Sequence, residues 1–265
     1  MDLWLAAVII VGAAAVAVAA MLVVRRTAPA GTYFKDAVPA GALYTVVGTA
    51  YMVILAFVFF VAFESYHDAR SDAQAEATAT LAMFHAVELF DSKASNELQG
   101  QVVCYAREVI SKEWPAMRDG KTSPAVEARI AAMENGAEEA EMADSKQSAA
   151  FDEWASANEE RRKGRQGRIS EAAPVVAPVI WMILIIGAVT VIATVCFFAD
   201  SQEAWLPQAT MIAAITTVVV SGLLLVRFLD KPYENKSGSI KPTAMARSLA
   251  LMHQVSNGQV VRRCA

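Results

Sequence analysis

Charge, cysteine and histidine are all scarce in this chain of 265 residues, and each scarcity removes a class of protein. Only 19% of the residues are Asp, Glu, Lys or Arg against 55% hydrophobic, more apolar than a single soluble domain carries. The three cysteines, Cys104, Cys196 and Cys264, show no paired spacing, so neither a zinc site nor a disulfide framework is indicated. Cys264 has a single residue after it and is not a prenylation box. His67, His85 and His253 are all that a metal or acid–base site has to draw on. His85 and Glu88 share a helical face, but two ligands leave a metal site half empty, so they read as a partly buried polar pair. A Gly-rich phosphate loop, a Gly-x-Ser-x-Gly elbow and a metalloprotease His pair are also missing. No enzyme, no metal site and no cofactor are expected. The formal net charge of −4 is mild, and nucleic acid is not an expected partner.

Apolar residues, by contrast, are abundant and clustered. A bilayer core of about 30 Å needs roughly 20 apolar residues at about 1.5 Å each. Four charge-free stretches meet that length, at 3–24, 41–63, 175–199 and 204–226. The first lacks the basic leading segment of a secretory signal, since Met1 is followed by Asp2, and it is too long for a signal core. The 110 or so residues between the second and third stretches are rich in Ala, Glu, Lys, Arg and Gln, which favours helix. The expected fold class is therefore an all-α membrane protein with four transmembrane helices and a large helical insert between the second and third. Its parts are a first helix pair in 1–63, a cytoplasmic helical domain in 64–173, a second pair in 174–226 and a cytoplasmic tail in 227–265.

Orientation follows from the bases near the span ends, because positively charged flanks are retained in the cytoplasm. Arg25, Arg26 and Lys35 lie on one face. Arg70, the cluster Arg161, Arg162, Lys163, Arg165 and Arg168, and then Arg227, Lys231, Lys236 and Lys241 lie on the other, ten against three. Both termini and the insert are expected in the cytoplasm of a multi-pass protein, although Arg25 and Arg26 directly after the first span argue for the reverse.

Within the insert, good helix formers run on from Phe63 to Leu89 without a turn signal, so the second span should continue into water as one helix. Ser95 reads as the cap of a helix that Pro115 stops, and Asp119 with Gly120 as a turn. Ser123 and Pro124 open a third helix toward Asn135 and Gly136. A last helix should begin near Ala137 and weaken at Gly164 and Gly167. Together these make a helical stalk or bundle below the bilayer. Residues 230–242 read as a turn or extended segment, followed by a short helix over 244–254.

The third and fourth spans hold Thr190, Thr194, Thr216, Thr217 and Ser221 but no ionisable group, which counts against an ion-coupled transporter. Those hydroxyls are expected to bond to backbone or across helices. In the second span Thr45, Thr49, Met52, Ala56, Phe60 and Phe63 recur every three or four residues, polar at the outer end and aromatic at the inner. Around an oligomer axis such a stripe makes an apolar constriction that gates by dewetting. Packing or contact with lipid explains the same pattern. The basic cluster from Arg161 to Arg168 is open in the same way: it attracts anions toward a pore, or it anchors a helix at anionic headgroups.

Several local motifs in this order resemble the bestrophins, pentameric anion channels. The run from Phe60 through Tyr66 to Ala69 and Arg70 is similar to the stretch that follows their second span. Asp230, Pro232 and Tyr233 are similar to their turn after the fourth. A bacterial bestrophin-like family of unknown function matches more fully. Tyr66, Ala69, Arg70, Glu76 and Ala77 form one of its motifs, and Tyr105, Ala106, Val109, Glu113, Trp114 and Pro115 a second. The tail adds Pro232 and Tyr233, followed by Gly238 and Pro242. The resemblance covers about 41–242. His67 and Asp68 replace the paired tryptophans of bestrophins, and no acidic calcium clasp follows Tyr233, so calcium gating is not implied. The resemblance implies a homo-oligomer, a pentamer, in the plasma membrane of a bacterium, conducting chloride or other anions. Phe60 and Phe63 would then be the constriction, Thr45, Thr49, Met52 and Ala56 the lining, and Arg161, Arg162, Lys163, Arg165 and Arg168 the attraction for anions. The competing expectation is a non-conducting membrane scaffold or sensor whose cytoplasmic helices bind partner proteins.

Overall fold

A computed structural model describes residues 3–27, 37–90, 92–140 and 144–255. Lys35 and Cys264 lie outside the described residues, among which there are only helices and turns. In chain order the helices are α1 (Leu3–Thr27), α2 (Ala37–Ala86), α3 (Ser92–Glu108), α4 (Trp114–Met117), α5 (Pro124–Glu138), α6 (Ser145–Ser170), α7 (Pro178–Phe197), α8 (Trp205–Leu229) and α9 (Thr243–Val255). Four of them, α1, α2, α7 and α8, are long and apolar enough to cross a membrane. The chain is an all-α membrane protein, as its composition requires. It divides into two compact units, Met1–Ser65 with Pro174–Asp230, and Tyr66–Ala173 with Lys231–Ala265.

The first unit holds α1, α7, α8 and the apolar half of α2. Small residues set its packing. A Cβ at Gly187 would lie 2.5 Å from the ring of Tyr51, and one at Gly222 would lie 2.9 Å from Leu55 Cδ2, so these glycines of α7 and α8 admit the inner face of α2. Ala17, Met21, Cys196, Ala199, Ala209 and Ile212 make the contact of α1 with its neighbours. Arg25 closes the end of α1 by donating to the carbonyl oxygens of Ser201 at 3.1 Å and Glu203 at 2.5 Å. Asp230 accepts from the Val176 amide at 2.8 Å, which fixes the entry to α7 against the end of α8. Outward-facing Val11, Val16, Ile186 and Val189 stay exposed, the arrangement expected where the solvent is hydrocarbon. Thr190 and Thr194 bond the carbonyls one turn back, at 2.8 and 2.7 Å, while the buried Thr216 hydroxyl has no partner among the described residues.

The second unit packs α3, α5, α6 and α9 around the polar half of α2. Phe84, Tyr105, Trp114, Met133, Trp154 and Met245 are among its buried core. Several boundaries differ from the sequence reading. Helix α3 begins at Ser92, so Ser95 lies inside it. Pro115 does not stop the chain either. After a π-helical turn, Val109–Glu113, it sits in the first turn of α4, and the helical backbone runs on through it to Met117. Helix α5 opens at Pro124 as expected but runs past Gly136 to Glu138. The last helix of the insert starts at Ser145 rather than near Ala137, because Asp144 caps it by accepting from the Gln147 amide at 2.8 Å. Gly164 and Gly167 do not interrupt α6, which is unbroken to Ser170. They are there for proximity: a Cβ at 164 would meet the Glu76 amide nitrogen at 2.6 Å, and one at 167 would strike the Asp72 carboxylate. Gly120 and Gly238 do serve turns, at φ 66 and 84. Cys104 is disulfide-bonded, which corrects the expectation of no disulfide, since spacing along a chain does not reveal what folding brings together.

Candidate functional site

The stripe proposed for a pore lies on the face of α2 that its own unit leaves open. Tyr51, Leu55 and Ala62 are buried. Thr45, Thr49 and Ala56 are exposed, Met52 is half-buried, and Phe60 and Phe63 are 60% and 50% exposed. At 100° per residue the stripe lies roughly 120° round the helix from the buried face. Phe63 stacks on Phe59, with ring centroids 6.1 Å apart, so the aromatic end is held by its own helix. The Thr45 hydroxyl donates to the Gly41 carbonyl at 2.9 Å. Phe57, 69% exposed, lies about 100° round the helix from the stripe, on a separate open face of α2.

The basic cluster is split by the fold. Arg161 and Arg168 have no exposed surface and Arg165 is 12% exposed, whereas Arg162 and Lys163 face solvent. Helical spacing accounts for this: 161, 165 and 168 share one face of α6, and 162 and 163 do not. Arg168 donates to both carboxylate oxygens of Glu76 and, at 2.6 Å, to Glu113. Arg165 donates to Glu113 at 2.6 Å and to Glu127 at 2.7 Å. The Tyr105 hydroxyl donates to Glu76 at 2.5 Å, and Arg161 lies over the Tyr105 ring at 5.0 Å while bonding Asn158. Three of the five bases thus have their charge met inside the second unit. Arg162 and Lys163 remain on the solvent side, each within 4 Å of Glu159.

These contacts fix protonation. Burial pushes the Glu113 carboxyl up, but the hydrogen bonds and charges of Arg165 and Arg168 outweigh it and hold the group below its ordinary range. The Tyr105 hydroxyl is pushed up by burial and by the neighbouring Glu76 carboxylate, so it stays a donor. Asp72 is raised, chiefly by burial and then by the like charges of Asp68 and Glu171. His85 and Glu88 sit 3.8 Å apart on the surface, and among the described residues no cluster of three His, Cys, Asp or Glu is placed to hold a metal.

The motif residues converge elsewhere in the same unit. Tyr66 donates to the Gly238 carbonyl and Tyr233 to the Ala69 carbonyl, both at 2.8 Å. Trp114 donates to the Ile240 carbonyl at 3.3 Å and meets the Tyr233 ring edge-on at 5.5 Å. Pro232 is buried, and its carbonyl accepts from Ile240 at 2.8 Å. Tyr66, Trp114, Pro232 and Tyr233 therefore build a clasp between α2 and the segment after α8, and Glu76 anchors α6 to the same helix. Arg70 takes no part in the clasp and is exposed.

Four apolar helices, an insert between the second and third and a clasped tail define an all-helical, multi-pass membrane protein. The model of the Bestrophin-like domain matches residues 11–245, and the chain belongs to that family. No curated protein matches it in sequence. Among solved structures, a variant of a bacterial bestrophin homologue from Klebsiella pneumoniae superposes with a TM-score of 0.69 at 13% identity, over 94% of this chain and 99% of the other. Another structure of that homologue gives 0.68 at 12% identity, over 92% and 98%. A crystal structure described only as a membrane protein gives 0.67 at 11%, over 94% and 99%. At these identities the likeness is one of fold.

Proposed function

We propose that this protein is an anion channel of the bacterial plasma membrane, a homo-oligomer and by family analogy a pentamer, rather than an enzyme. In this reading the exposed stripe of α2 lines the axis. Phe60 and Phe63 form an apolar constriction, and Thr45, Thr49, Met52 and Ala56 line the outer part. The observation that carries it is the stripe itself: two hydroxyl-bearing residues at one end and two aromatics at the other, on a face that α7 and α8 leave uncovered. A hydrophobic ring holds back ions by dewetting, so shortening Phe60 should ease passage. Of the basic cluster, only Arg162 and Lys163 are free to draw anions toward the opening, and their effect should fade with salt.

Purified protein in planar bilayers tests this. Chloride conductance in the wild type, increased in Phe60→Ala, is expected, along with particle images showing a ring whose opening is lined by α2. Silence from both proteins would favour the alternative, a membrane scaffold or sensor whose soluble helices bind partner proteins.

A further inference from the structure

A cleft of about 510 Å³ opens within the second unit, between the polar half of α2 and the segment that ends in α9. Its walls come from the two helices at regular spacing. Tyr66, Arg70, Ala73, Gln74, Ala77 and Thr78 lie on one face of α2, and Ala244, Arg247, Ser248 and Leu251 on one face of α9. Two hydrogen bonds fix the walls: Tyr66 to the Gly238 carbonyl, and Ser248 to the Ala77 carbonyl at 2.8 Å. Ala73, Ala77 and Ile240 are buried beneath and give an apolar floor.

The charge of this cleft is one-sided. Arg70, Lys241 and Arg247 line it and, among the described residues, no Asp or Glu does, in a chain whose acids outnumber its bases, 27 to 23. Lys241 bonds only a neutral partner, the Asn235 side chain at 3.1 Å. Among the described residues Arg70 and Arg247 have no hydrogen bond or ion pair. Elsewhere in the same unit arginine is treated differently: Arg161, Arg165 and Arg168 are all matched by acids or amides. Thr243 and Ala244, which also line the cleft, belong to the first turn of α9, where the helix dipole is positive.

We infer that this cleft binds a phosphate-bearing anion. Two guanidinium forks and an ammonium supply planar, bidentate and point-charge recognition suited to a doubly or triply charged phosphate group. The apolar floor accepts whatever carries the phosphate. A soluble phosphate ester and an anionic phospholipid headgroup share this chemistry. The site is separate from the α2 stripe and does not depend on conduction.

The test is titration calorimetry of the full-length protein with pyrophosphate, in detergent and then in phosphatidylcholine nanodiscs with and without phosphatidylglycerol. Pyrophosphate should bind. Arg70→Gln and Arg247→Gln should each weaken it by about tenfold or more, whereas Arg118→Gln, an exposed base outside the cleft, should not. Thr78→Phe, which fills the cleft without changing charge, should also weaken binding and guards against misfolded arginine variants. Phosphatidylglycerol that raises the apparent Kd for pyrophosphate identifies a headgroup as the natural occupant, and an unchanged Kd identifies a soluble one. No binding to the wild type, as when another copy of the chain fills the cleft, or equal binding by the Arg70→Gln/Arg247→Gln double variant, overturns the inference.

Discussion

Arg168 has no exposed surface and sits between two equally buried carboxylates, Glu76 from α2 and Glu113 from the π-helical turn. Such groups hold one another ionised, and removing one leaves a stranded charge, at a cost of about 3–5 kcal/mol. Glu113→Gln should therefore lower the thermal midpoint of the purified protein sharply. Arg162→Gln, on the solvent side of α6, should change stability by no more than about 0.5 kcal/mol. The same carboxyl gives a pH dependence with a definite sign. Its folded pKa lies below the ordinary 4.5, so its contribution is present above that value and is lost as pH falls through the folded pKa. Wild-type stability should thus decline in acid below about pH 4.5, and Glu113→Gln should flatten that limb of the melting curve.

Between elements, separation is governed by glycine more than by charge. Gly164 lets α6 lie directly on α2, and an alanine there would press on the Glu76 backbone at 2.6 Å. Backbone cannot yield as a flexible side chain can, so Gly164→Ala should loosen the α2–α6 contact and cost about 1–3 kcal/mol in a melting experiment. Gly100, inside α3, meets nothing within 4 Å of an added Cβ. Gly100→Ala should stabilise by up to about 1 kcal/mol through helix propensity alone. Opposite signs for two identical substitutions in helices of one unit would separate close packing from propensity. The sequence showed both glycines inside helical stretches but not which one faces a neighbour. Gly164 and Gly167 consequently read as weak points when they are contact points. The cluster around Arg165 suffered the same ambiguity, because a run of bases looks solvent-facing until the acids that meet it, up to 92 residues away in sequence, are brought alongside.

For the molecule as a whole, handedness in the membrane is the property most open to direct test. The ten bases flanking one side predict that the insert and both termini face the cytoplasm. Cys104 is a poor reporter, being 2% exposed and disulfide-bonded. Lys121, exposed in the turn after α4, is a better one. Lys121→Cys should resist a membrane-impermeant maleimide in intact cells and react once they are permeabilised. Labelling of intact cells would place the insert outside and reverse the orientation.

The amino-acid sequence by itself determined that this protein is helical and membrane-embedded, where its four spans lie and that α2 outlasts the bilayer. Those properties follow from local composition and the length of apolar runs, which need no partner to be read. Its family, too, was legible in the order of motifs such as Tyr66 to Arg70 and Pro232 with Tyr233. Only the tertiary structure decided what those residues do, because a clasp, a buried Glu76–Arg168–Glu113 chain and a cationic cleft are each made by segments far apart in sequence. Burial turned three of five clustered bases into internal staples, while among the described residues no acid pairs with Arg70 or Arg247: charge is set by residue type, but its availability is set by what folds against it.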